Sequence, residues 1–179
     1  LSLHDALPIC GAALPAAVQG LMGKAVLLCR EALAIDPADA QAHHILGYAL
    51  DEDGDKAGAE AAYRAATAAD PKHAHAHYNL GILLGERGDK AGAEAAWRAA
   101  IAADPQLAQA HCNLGLFLSE RGDKAGAEAA WRAAIAADSQ YEDAHCNLGN
   151  VLNERGDKAG AVAANRAAIA ADPQHANAH

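Results

Sequence analysis

His73, His75 and His77 alternate with alanine, and His73 and His77 have the four-residue spacing at which two imidazoles on one helical face can share a metal ion. His175 and His179 repeat that spacing. Neither pair has a carboxylate or cysteine beside it to complete a tetrahedral set. His43, His77, His111, His145 and His179 instead recur once every 34 residues, each just before a Leu-Gly pair where the chain reaches one. That regularity predicts a packing or cap-side role, so no metal and no cofactor are expected. His111-Cys112 and His145-Cys146 set a thiol beside a base. Adjacent helical residues point about 100° apart, so neither pair can easily hydrogen-bond as a dyad. The sequence shows no Ser-His-Asp arrangement, glycine-rich phosphate loop or paired-carboxylate cleft. A non-catalytic protein is expected.

The elements that position these residues come from a repeat. Glu86 to Trp97 returns letter for letter as Glu120 to Trp131, and the match continues through Asp104 and Asp138. Weaker copies run from Glu52 to Asp70 and from Glu154 to Asp172. A fixed period of this length marks stacked units, none of which buries its own apolar face alone.

Within Ala74 to Leu107, the residues Ala76, Leu80, Gly81 and Leu84 form one stripe of an amphipathic helix. Gly88 supplies the left-handed residue that ends it, and Asp89 caps the next helix. That second helix carries Ala93, Trp97, Ala100 and Ile101 on one face. It ends at Asp104-Pro105, where Asp is expected to cap the following helix and Pro to sit in its first turn. Gly81 and Ala93 are small where the two helices approach, and Trp97 fills the gap between layers. Gly58, Gly92, Gly126 and Gly160 fall inside second helices, each at a cost of about 1 kcal/mol relative to Ala. Asn165 stands where Tyr63, Trp97 and Trp131 stand elsewhere. A buried, unpartnered amide there would cost about 1–3 kcal/mol.

Asn79-Leu-Gly81, Gly88-Asp89, Ala93, Trp97, Ala100 and Asp104-Pro105 resemble the tetratricopeptide repeat signature. The resemblance covers Ala40 to Ala178 and extends more weakly back to about Leu21, through Glu31 to Pro37. It implies an all-α, right-handed superhelical solenoid of stacked antiparallel helix pairs. The expected units are a degenerate partial repeat at 10–39, repeats at 40–73, 74–107, 108–141 and 142–175, and the start of another at 176–179. Ser139 replaces the Pro of Pro71, Pro105 and Pro173 but retains a capping side chain.

The resemblance also implies that first helices line a concave groove. Subtracting the packing positions leaves Gln41, His44, Ile45, Tyr48 and Glu52, then His75, Tyr78, Asn79, Ile82 and Glu86. The next unit offers Gln109, Cys112, Asn113, Leu116 and Glu120, and the last Asp143, Cys146, Asn147, Asn150 and Glu154. Asn79, Asn113 and Asn147 form a ladder similar to that in the repeat region of O-linked N-acetylglucosamine transferases. An amide both donates and accepts, which suits an extended peptide backbone. The alternative is that each Asn bonds a neighbouring helix. Glu52, Glu86, Glu120 and Glu154 stand where a carboxylate clamp needs Lys and Arg, which sets that mode aside. The expected function is a protein-interaction scaffold holding an extended, neutral to basic peptide or a partner helix. The runner-up is the substrate-recruiting arm of a larger enzyme such as a glycosyltransferase.

A formal net charge of -9 argues against phosphate binding, and hence against nucleic acid. No apolar run approaches the ~20 residues that span a bilayer. Cys10, Cys29, Cys112 and Cys146 have no CxxC spacing, and equivalent positions of stacked helices stand about 8–10 Å apart, beyond disulfide reach. Reduced thiols and a cytoplasmic setting are expected. Leu1 to Ile9 resembles the translation of a sequencing adapter and is left out of fold reasoning; with no basic start, and with Asp5 and Pro8 interrupting it, it does not read as a signal peptide. The chain reads as an interior fragment.

Overall fold

The computed structural model describes residues 16–171, which hold nine α-helices and no strand. The adapter-like segment, Cys10, Pro173, His175 and the repeat start at 176–179 lie outside the described residues. The chain divides into two compact units at Asp70. In the first, α1 (Ala16–Ile35) packs on α2 (Ala40–Glu52), and α2 on α3 (Lys56–Ala69). In the second, α4 (Ala74–Glu86) pairs with α5 (Lys90–Ala103), α6 (Ala108–Glu120) with α7 (Lys124–Ala137), and α8 (Glu142–Glu154) with α9 (Lys158–Ala171). Among the described residues no helix is long and apolar enough to cross a membrane.

Three residues stop one helix and start the next. At Arg87-Gly88-Asp89, Gly88 takes φ +81°, and the Asp89 N–H donates back to Leu84 O at 2.9 Å, closing the end of α4. The Asp89 carboxylate then accepts from Gly92 N at 2.9 Å and caps α5. Gly54, Gly122 and Gly156 repeat the left-handed turn. Gly92 therefore lies in the first turn, not mid-helix. A Cβ there would collide with the capping carboxylate of Asp89, and Gly58, Gly126 and Gly160 are hemmed in the same way. At these positions the absent Cβ leaves room for the capping carboxylate.

Asp104 does not cap the next helix. Its carboxylate accepts from Gln106 N at 2.9 Å in a local turn, and α6 begins after Leu107 with no side-chain cap. The loop is held by histidine: His111 Nε2–H donates to Pro105 O at 3.0 Å. His43, His77 and His145 make the same link to Pro37, Pro71 and Ser139, at 2.9 to 3.1 Å. Because the acceptor is a main-chain carbonyl, Ser139 replaces proline without breaking the link. His73 Nδ1 accepts from Ala76 N at 3.2 Å and caps α4. These ring nitrogens thus hold loops and helix ends.

The core follows the small-against-large pattern. Gly81 meets the Trp97 indole so closely that an added Cβ would lie 2.5 Å from Nε1, and Gly115 meets Trp131 identically. Ala93, Trp97 and Ala100 are buried, as are Ala127, Trp131 and Ala134. Gly149 packs on the Asn165 amide. Asn165 is exposed, not buried, because α9 is the last described helix and nothing described stacks on it, so the expected penalty does not arise.

Candidate functional site

The second unit carries the same cleft twice, one repeat apart. The first has a volume of about 280 Å³ and is floored by Ala93 and Trp97 of α5. Its walls are Ile82 and Gly85 on α4 and Asn113, Leu116 and Phe117 on α6, with Glu86, Lys90 and Glu120 at the rim. The second, about 210 Å³, is floored by Trp131. Leu116 and Ser119 on α6 face Asn147, Asn150 and Val151 on α8, with Glu120, Lys124 and Glu154 at the rim. Each lining residue of the second stands 34 positions after one of the first. Leu116 and Glu120 belong to both clefts.

The sequence-predicted residues divide among these clefts, half-buried positions on the same helices and exposed positions. Ile82, Glu86, Asn113, Leu116, Glu120, Asn147, Asn150 and Glu154 line the clefts. Tyr78, Asn79, Gln109 and Cys146 are half-buried on the same helices, and His75 is exposed at the start of α4. In the first unit Gln41, Ile45 and Glu52 are exposed on α2, while His44 and Tyr48 are half-buried.

Cys112, placed on the unpacked stripe by its spacing, is instead 2% exposed. Asn147 Nδ2 donates to its Sγ at 3.8 Å from the following repeat. Burial pushes the Cys112 thiol up to about 11, against the hydrogen bond from Asn147. One repeat earlier, Asn113 hydrogen-bonds Tyr78, whose hydroxyl is also raised by burial. Tyr141, just before α8, is raised by burial and by the neighbouring Cys112 and Tyr78. Cys146 is raised by burial and then by Glu142 and Asp143. Cys29, Cys112 and Cys146 are free thiols. The amides of Asn113 and Asn147 thus tie neighbouring repeats together while still lining the clefts.

The glutamates are interleaved with lysine. Lys90 Nζ lies 3.8 Å from Glu120, and Lys124 Nζ lies 2.9 Å from Glu154 and 3.1 Å from Ser119 Oγ. These pairs are exposed and contribute about 0–1 kcal/mol each. The rim is therefore less acidic than the glutamates alone suggest. Sequence reasoning missed Lys90 and Lys124, although lysine recurs in phase at 56, 90, 124 and 158. It also assigned Trp97 and Trp131 to packing alone, whereas both indoles floor clefts.

The fold is similar to several solved structures. A crystal structure of MamA matches with a TM-score of 0.76 and 23% identity, covering 90% of this chain and 94% of that one. A Pseudomonas aeruginosa pilF structure matches at 0.78 and 22%, covering 87% and 71%. YrrB, described as a TPR protein with an unusual peptide-binding site, matches at 0.68 and 20%, covering 89% and 82%. No curated protein sequence matches the chain. The tetratricopeptide repeat family model matches residues 45–108, 78–142 and 112–176. The chain belongs to the tetratricopeptide repeat family.

Proposed function

We propose that this chain is a non-catalytic scaffold whose second unit holds an extended peptide along α4, α6 and α8. Tetratricopeptide proteins generally mediate protein–protein interaction, and the likeness to YrrB, itself described as peptide-binding, supports the narrower reading. The observation that carries it is the repeated cleft. Two equivalent apolar-floored sites, each with an asparagine on one wall, suit a ligand that extends along the face and presents side chains at intervals. A compact small molecule would need one enclosed site instead. Asn147 bonds Cys112 through its amide nitrogen, which leaves its oxygen to accept from a peptide N–H. The preferred setting is cytoplasmic, in line with the free thiols.

The test is selection from a library of random dodecapeptides displayed on phage, with an unrelated helical protein as control. Enrichment of peptides that bind the folded chain in solution is the expected result. A failure of any peptide to enrich above the control would overturn the reading.

A further inference from the structure

The two clefts share a plan but differ in their walls. In the first, α6 contributes Leu116 and Phe117, and α4 contributes Gly85. At the corresponding places the second has Asn150, Val151 and Ser119. One site is therefore lined by apolar side chains and the other by an amide, a hydroxyl and a smaller hydrocarbon. Both rims hold two glutamates to one lysine. In the first cleft that charge surrounds a pocket whose single amide, Asn113, stands beside Leu116 and Phe117, so a buried cation would have few hydrogen-bond partners. In the second, Asn147 repeats that amide and Asn150 adds another in place of Leu116, with the Ser119 hydroxyl in place of Gly85. Glu120 rims both clefts and is loosely held, its partner Lys90 standing at 3.8 Å with both side chains about two-thirds exposed. The extra amide and hydroxyl are therefore what set the second cleft apart.

We infer that the peptide proposed above carries an apolar side chain in the Trp97 cleft and a lysine or arginine in the Trp131 cleft. This rests on the peptide-groove reading and names its partner. Packed helices stand about 10 Å apart, and an extended chain rises about 3.3 Å per residue. The two side chains are thus about three residues apart. A guanidinium fits the second site well, because its planar fork can donate to the amide oxygens and to Glu120 together. The apolar side chain gains by covering the Trp97 floor, Ile82 and Leu116.

The experiment compares peptides enriched from the same dodecapeptide library by the wild-type chain and by two variants. Asn150→Leu with Ser119→Ala gives the second cleft walls like those of the first. Glu154→Gln removes rim charge while leaving the amides. Asn150 and Glu154 are exposed, and Ser119, half-buried, loses only a hydroxyl that accepts from Lys124, so both proteins should keep their helical signal and stay close to the wild-type melting temperature. The wild type should enrich an apolar residue and a basic residue about three positions apart. The first variant should change the basic preference to an apolar one, reversing relative affinities for matched Arg and Leu peptides by about tenfold or more. The second variant should weaken the Arg peptide several-fold and leave the Leu peptide unchanged. Enriched peptides whose preference does not change in either variant would overturn this inference while leaving the groove reading intact. A wild-type selection that enriches nothing would overturn the groove reading itself.

Discussion

Asn147 donates an amide N–H to the sulfur of Cys112, a buried residue 35 positions earlier on the preceding first helix. The bond crosses a repeat boundary, so it joins two units that each bury too little surface to fold alone. Asn147→Ala should lower unfolding free energy by about 0.5–1.5 kcal/mol, and a denaturant melt reads it directly. An unchanged midpoint would show that the amide contributes nothing between the repeats.

Burial makes the thiols unequal. Cys112, with a thiol raised to about 11 and 2% exposure, should resist a disulfide reagent at pH 8 until the protein unfolds. Cys146 is only half-buried and should react before Cys112. The order is read by mass mapping of labelled peptides. Labelling of native Cys112 as fast as Cys146 would contradict the packing described.

The raised thiol also sets a pH dependence. The unfolded thiol ionises near 9 and the folded one near 11, so the unfolded chain releases its proton first as pH rises. The contribution of Cys112 is fully present below about pH 9 and is lost between about 9 and 11. Cys112→Ser, whose hydroxyl does not titrate there, should flatten this part of the alkaline stability profile. An identical slope in the two proteins would refute the assignment.

Glycine at position 92 provides a test with an unusual sign. Gly→Ala inside a helix ordinarily stabilises by about 1 kcal/mol. Here the new Cβ would collide with the Asp89 carboxylate that caps α5, and losing such a cap costs about 0.5–2 kcal/mol. Gly92→Ala should therefore lower the melting temperature. A rise would show that the cap adjusts freely.

These residues mark how far the sequence could be read. Periodicity revealed the helix pairs, and Gly88 and Asp89 revealed the turn, because both signals are local. Helical spacing also placed Ile82, Leu116 and Asn150 on one accessible face. It placed Cys112 there too, wrongly, because spacing within a helix does not show where the next repeat's Asn147 will lie. Asp104 and His111 were misread or only half-read for a related reason. The residue that holds the loop is His111, reaching six positions back to Pro105 O, and cap statistics favour the aspartate. Lys90 and Lys124 escaped notice because each lines a cleft from the start of a second helix, beyond the turn from the first-helix residues.

The most direct test of the account is to titrate the best selected dodecapeptide into the wild type and two point variants. Leu116 is 43% exposed and shared by both clefts, so Leu116→Asp should weaken binding at least about tenfold without altering the melting temperature. Ala129→Asp, in the separate cleft beside Arg98 and Ile101, should bind as the wild type does. Unchanged affinity in Leu116→Asp, or a loss confined to Ala129→Asp, would contradict the assignment of the groove.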